Sequence, residues 1–305
     1  MISAKEIRQG ARGLRYKRGD RIGYLFTAPM AILYLLFTVI PLACTFYFSL
    51  CYYNMFKIRF LGLENYVEMF SQDPIFLQSI ANTLVYMFWT IFPSIAMGLI
   101  LATVLNGRVP GKVFFRAALY STNLMSMTAI SLAWLFIYDG NLGVLNALLK
   151  AFGMQGQNWL YNPDRAMGCI IVMSVWSSMG YNMVIYLSGL QGIPHTLYEA
   201  ARIDGADAIQ QFFYISLPLL KPTTFFLFVM GCISSFQVFD QIFMMTGGGP
   251  LNRTTTMVYR IYLEGFTNYR MGYASAQAMF LFALILGVTL LNFKFGDRSD
   301  HYDVT

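Results

Sequence analysis

The sequence predicts an all-α membrane protein with six transmembrane helices, and three observations predict it. Of 305 residues, 57% are hydrophobic and 12% charged, with a mean hydropathy of +0.52. Soluble domains carry about one quarter charged residues. Six segments, at 22–50, 79–105, 117–138, 166–190, 222–245 and 271–293, reach the roughly 20 apolar residues that span a hydrocarbon core. Lys and Arg are also divided unequally between the two sets of connections.

The basic tail, residues 1–21, holds Lys5, Arg8, Arg12, Arg15, Lys17, Arg18 and Arg21. The first span follows as 29 residues without a charge, too long for the apolar region of a signal peptide, so it is expected to be retained. Pro41-Leu42-Ala43-Cys44 is a weak match to a lipoprotein cleavage box, but the apolar run continues past it. Only the fifth span carries a charge, Asp240. An even number of spans puts both termini on one side. The tail, 106–116, 191–221 and the C-terminal tail together hold fourteen basic residues, and the opposite connections hold seven. The positive-inside rule then places both termini and the insert 191–221 in the cytoplasm. Topology thus accounts for the net charge of +6, and no nucleic-acid partner is expected.

The remaining connections, 51–78, 139–165 and 246–270, are too short to hold a further domain. Gly143 to Leu149 reads as a short interfacial helix, and Gly247-Gly248-Gly249-Pro250 as turn chemistry. Cys44, Cys51, Cys169 and Cys232 show no CxxC spacing and read as small apolar side chains. With no metal-ligand spacing and no nucleophile–base pair, neither catalytic nor metal-binding residues are predicted.

The insert carries the most information. Pro194 suits a first helical turn, Thr196 and Glu199 have capping-box spacing, and Asp204-Gly205 supplies a stop because Gly accepts the left-handed conformation. A second short helix over 206–216 is expected to end before Leu217-Pro218. Ala200 and Ala201 would let a partner approach the backbone, Glu199 offers an acceptor, and Leu197, Tyr198 and Ile203 form an apolar face. From spacing alone, the insert is either such a docking element or a loop lying against the bilayer.

The run Glu199-Ala200-Ala201-Arg202-Ile203-Asp204-Gly205-Ala206 followed by Leu217-Pro218 closely resembles the EAA loop of ABC importer permeases. Three further stretches are similar to sugar-importer permeases of the maltose and glycerol-phosphate type: Trp176 with Gly180-Tyr181-Asn182-Met183 and the run Leu187 to Pro194, then Thr246 to Pro250 followed by Thr254-Thr255-Thr256, and Gly272 to Ala276. The resemblance implies the type I ABC importer permease fold, with a membrane domain over 22–296 between cytoplasmic tails 1–21 and 297–305. It implies a second homologous permease subunit, two cytoplasmic ABC ATPase subunits, an extracytoplasmic sugar-binding protein and a home in the bacterial or archaeal cytoplasmic membrane. ATP and magnesium would bind only the partner ATPase, to which Glu199, Ala200, Ala201, Asp204, Gly205, Ala206, Leu217 and Pro218 would couple the pore. Leu187-Ser188-Gly189-Leu190-Gln191 and Gly107 to Val113 imitate ATPase motifs, but the first ends an apolar span and the second lacks the spacing and hydroxyl of a P-loop.

Polar groups at membrane depth line a cavity or join helices. Asn82, Tyr86, Tyr181, Asn182, Ser234, Ser235, Gln237 and Asp240 are candidates for a sugar path, with Phe236, Trp89 and Tyr186 available for stacking. For any single one of them, joining helices or packing the core is the more common role. The alternative function is an ion-gradient-driven secondary transporter, which would need a carboxylate or His relay in the membrane. Asp240 alone makes a poor one, since His195 and His301 fall in cytoplasmic segments.

Overall fold

The computed structural model describes residues 19–107 and 109–296. The basic residues before Gly19, Arg108 and the tail 297–305 lie outside the described residues. The rest is mostly helical. Two helices, α1 (Gly19–Tyr34) and α2 (Ile40–Ser49), run on through a π turn, Leu35–Val39, and form the first span. A hairpin of β1 (Cys51–Tyr53) and β2 (Ile58–Phe60) and a short helix α3 (Glu64–Ser71) lead into α4 (Pro74–Asn106), the second span.

The π turn has a local cause. Pro41 lacks an amide hydrogen, and its ring clashes with the carbonyl four residues back. Widening the preceding turn, so that the Ile40 amide bonds Leu35, relieves that clash. The same device recurs before Pro218, where π turn Phe212–Ser216 lets the Leu217 amide reach Phe212.

Asp73 starts α4 by capping the amides of Ile75 and Phe76, each at 3.0 Å. At the other end, Arg116 donates to the carbonyl of Leu105 at 2.7 Å, placing a cation where the helix dipole favours it.

The third apolar segment is not one helix. α5 (Lys112–Ser121) gives way to a single 3-10 turn, Thr122–Leu124, and then to extended backbone at Met125 and Ser126. The chain resumes as α6 (Met127–Ile137), whose 11 residues cover about 16 Å, roughly half a hydrocarbon core. A short helix α7 (Val144–Ala151) forms where the sequence suggested one. α8 (Ala166–Gln191) covers the fourth apolar segment. The fifth is also interrupted: α12 (Lys221–Phe236) stops at Gln237 and α13 (Asp240–Met245) restarts. After α14 (Met257–Tyr262), α15 (Met271–Gly296) supplies the last span.

Among the described residues, four helices are long and apolar enough to cross a membrane, or five if the bent pair ending in α12 counts as one span. The third and fifth apolar segments, expected from sequence as single helices, are each broken.

Glycines set the tightest contacts. A methyl on Gly180 of α8 would lie 2.0 Å from the carbonyl oxygen of Leu119, and one on Gly98 of α4 would lie 2.5 Å from the β-carbon of Asn182.

Candidate functional site

The insert folds as two short helices at an angle. α9 (His195–Ile203) begins directly after Pro194, and no side chain caps it, which corrects the capping box expected from Thr196 and Glu199. Its end is a Schellman motif built on Gly205. Gly205 takes φ +82°, its amide bonds the carbonyl of Arg202 at 3.1 Å, and the Ala206 amide reaches back to Ala201 at 2.8 Å. Nothing lies within 4 Å of a methyl built on Gly205, so the demand for glycine here is conformational.

Asp207 then opens the second helix with a true capping box: it accepts from the Gln210 amide at 2.7 Å, and Gln210 accepts from its amide at 2.9 Å. That helix is α10 (Ala208–Gln211), continued by the π turn into α11 (Leu217–Leu219). The helix therefore includes Leu217 and Pro218, contrary to the expectation that it stops before them.

Two bonds fix the insert. Tyr198 and Ser216 share a hydrogen bond of 2.8 Å between the two helices, and Gln211 donates to the Ala206 carbonyl at 2.9 Å. Glu199, Ala200, Asp204 and Gly205 are exposed, while Ala201 and Ala206 are half-buried at a shallow depression shared with Tyr214 and Ile215. Ile203, Ile209, Phe213 and Tyr214 leave large apolar surfaces uncovered. Of the apolar face expected on α9, Leu197 and Ile203 face outward, but Tyr198 is half-buried in the clamp.

The insert passes into α12 through a 60° bend. Its pivot, Leu220, is fully buried in a core cluster with Ala102, Leu105, Met183, Tyr186 and Leu190. The Tyr186 hydroxyl donates to Thr224 at 2.9 Å, just above that pivot.

A cavity of ≈ 330 Å³ lies between α4, α8, α12 and the two interrupted spans. α8 contributes Ser174, Ser177, Ser178, Tyr181 and Asn182, a stripe spaced i, i+3, i+4, i+7, i+8, so one face of the helix is polar. α4 contributes Tyr86, Thr90 and Ser94, one turn apart. The unwound segment of the third span supplies Asn123, and α13 supplies Gln241 beyond the break in the fifth. Non-helical backbone is tolerated at membrane depth where it is buried in protein or lines a cavity. Tyr86 donates to Ser174 at 2.9 Å, and Thr122 donates to the carbonyl of Ser177 at 3.1 Å. Apolar patches from Ile91, Ile95, Met127, Leu227 and Met230 separate the hydroxyls and amides. No ionisable side chain other than the two tyrosines is among the lining residues.

Of the expected path residues, Tyr86, Tyr181, Asn182, Ser234 and Ser235 come together here. Asn82, Phe236, Gln237 and Asp240 lie outside the lining. Asn82 donates to the carbonyls of Asn252 and Thr255, both at 2.9 Å, tying α4 to a loop. Phe236 is buried against Met257 and Tyr273, Gln237 and Asp240 are exposed, and Tyr186 belongs to the pivot core. Sequence reading missed Asn123, Gln241 and the serines of α8. The helical spacing of those serines was a visible signal.

Outside the cavity lining, Asp73 joins α4, α14 and α15. Its Oδ2 accepts from Arg260 and from Tyr273, both at 2.9 Å. Burial alone would raise the Asp73 carboxyl, but bonds from Arg260, the Phe76 amide and Tyr273 outweigh it and hold it below its ordinary value. Buried Glu264 lies 2.7 Å from Arg260 and 3.6 Å from Arg270, and Arg270 also pairs with Glu68.

A polar cavity at broken helices beside a compact two-helix insert fits a membrane transport subunit. The family model described as binding-protein-dependent transport system inner membrane component matches residues 19–296, and the chain belongs to that family. It is thus a permease component of the inner membrane and catalyses no reaction itself; ATP hydrolysis belongs to a separate subunit. The family's members act with a second permease, ATPase subunits and a binding protein.

The chain is 40% identical over 280 residues to the probable ABC transporter permease protein YurN of Bacillus subtilis (strain 168), covering 90% of this chain and 95% of YurN. It is 34% identical over 282 residues to the sn-glycerol-3-phosphate transport system permease protein UgpA of Brucella abortus biovar 1 (strain 9-941), covering 92% and 96%. Its fold is similar to a chain of a bacterial ABC transporter involved in the import of the acidic polysaccharide alginate, with a TM-score of 0.82, 23% identity and coverage of 92% and 96%.

Proposed function

We propose that this chain forms half of the translocation pore of an ATP-driven carbohydrate importer and couples that pore to a separate ATPase through residues 191–221. The carrying observation is a shared pair of helices. α8 leads into the insert and α12 leads out of it, and both line the polar cavity. Displacement of the insert therefore acts on the cavity wall without any intermediate element. The buried Leu220 pivot and the Tyr198–Ser216 clamp favour transmission as a rigid unit.

In this reading the chain crosses the membrane six times, with α5 and α6 together making the third crossing and α12 and α13 the fifth. Both termini and the insert face the cytoplasm, with tails 1–21 and 297–305 flanking the membrane domain 22–296. Glu199, Ala200, Ala201, Asp204, Gly205, Ala206, Leu217 and Pro218 form the coupling element. The exposed Ile203, Ile209, Phe213 and Tyr214 give an ATPase an apolar surface to grip. ATP and magnesium bind that partner. Its closure turns the pore outward to accept cargo from the binding protein, and hydrolysis returns it inward.

Hydroxyls and amides alternating with apolar patches suit a hydroxyl-rich cargo with C–H faces. Glycerol 3-phosphate, named for one relative, shares the hydroxyls but adds a charged phosphate, for which the lining offers no cation, so a neutral sugar fits this cavity better. The test is a thiol cross-link from Ile203→Cys to the ATPase in the assembled complex. It should form and respond to nucleotide. A label at the same position that reacts only from outside intact cells would overturn the assignment.

A further inference from the structure

We propose that the β1–β2 hairpin is a membrane-surface anchor that beds its apolar tip among lipid headgroups and binds anionic lipid through Lys57 and Arg59. The position of the hairpin carries the first part. β1 starts one residue after Leu50, the cap of the first span. The Cys51 carbonyl packs against Gly272, where a methyl would lie 2.0 Å from its oxygen, so the hairpin sits level with the start of α15. Asn65 bonds the carbonyls of Ser49 and Cys51 at 2.9 and 3.0 Å, fixing that level. Tyr53 stacks on Phe48 of the last turn of α2, with ring centroids 4.8 Å apart, so the strand folds back beside the span.

The tip is apolar and held in shape. Phe56 is 91% exposed, and Met55, Ile58 and Phe60 are also exposed. The Asn54 side chain accepts from the Lys57 amide at 3.0 Å and closes the turn. Met55 takes φ +67°, a conformation that favours Gly or Asn, so a large apolar side chain stands where local preference disfavours one. Strand pairing puts Tyr52 opposite Arg59, and Lys57 and Arg59 form no ion pair among the described residues.

Apolar residues interleaved with unpaired cations at a span end complement the boundary between acyl chains and acidic headgroups. The occupant is therefore lipid. This anchor is independent of the coupling role of the insert.

A nitroxide on Phe56→Cys, in a Cys44→Ser background and the complete reconstituted transporter, tests the anchor. Relaxation by oxygen should exceed relaxation by a water-soluble nickel chelate. That ratio should rise when phosphatidylglycerol is added to phosphatidylcholine vesicles, and Lys57→Glu with Arg59→Glu should abolish the rise. A probe reached chiefly by nickel places the tip in water, and one shielded from both reagents places it against protein. Either result, or a ratio indifferent to anionic lipid, overturns the proposal.

Discussion

Arg260 donates a hydrogen bond of 2.9 Å to Asp73, joining the N-terminus of α4 to α14, the short helix that precedes α15. The same carboxylate caps α4 through its other oxygen. Its depressed pKa means that the ionised form stabilises the fold. That contribution is complete above the unfolded value of about 3.9 and is lost as pH falls through the lower folded value. Asp73→Asn keeps a capping side chain but removes the charge, which should cost about 2 kcal/mol at pH 7. Thermal unfolding of both proteins at neutral pH and near pH 3 checks this; the gap should narrow in acid.

Gly205 has open space around it, so substitutions there report backbone preference alone. Alanine should cost about 1 kcal/mol by disfavouring the left-handed conformation, and a β-branched residue more. Uptake in proteoliposomes should fall in the order Gly, Asn, Ala, Val, while the amount of assembled complex stays constant.

Gly180 presents the opposite case. Alanine would place its methyl against the Leu119 backbone, which cannot swing aside, and should cost about 3 kcal/mol. Gly168 on the same helix has nothing within 4 Å, so alanine there should be neutral or slightly stabilising. Melting temperatures of the two variants in detergent separate these outcomes.

Much of this architecture could be read from residue order. The spans at α4, α8 and α15, the stop at Gly205 and the helix near Val144 follow from apolar runs and turn chemistry. The breaks in the third and fifth spans were not legible. Hydropathy averages over about 20 residues, so a few residues of extended backbone at Met125 and Ser126 leave it unchanged. Neither Pro nor Gly marks that break. The capping box at Asp207 and Gln210 was readable as D-x-x-Q, but the Thr196 and Glu199 pair satisfied the same pattern and drew the assignment. Which polar residues meet at the cavity depended on helix rotation, which Asn82 illustrates by turning toward Asn252 and Thr255.

The cavity reading predicts a graded loss. Asn182→Ala and Tyr86→Phe each remove one polar group from the lining, worth about 1 kcal/mol or roughly fivefold in transport rate. Uptake should fall by that factor in each, while ATP turnover without binding protein is unchanged. Undiminished transport by both variants would move the path elsewhere.

The most direct measurement is solute uptake by a reconstituted importer carrying Glu199→Lys and Gly205→Trp together. Both positions are exposed on the insert and absent from the cavity lining, so the chain itself should still fold. The account predicts that uptake disappears while ATP turnover no longer responds to the loaded binding protein. Transport at the wild-type rate would show that the insert does not drive the pore.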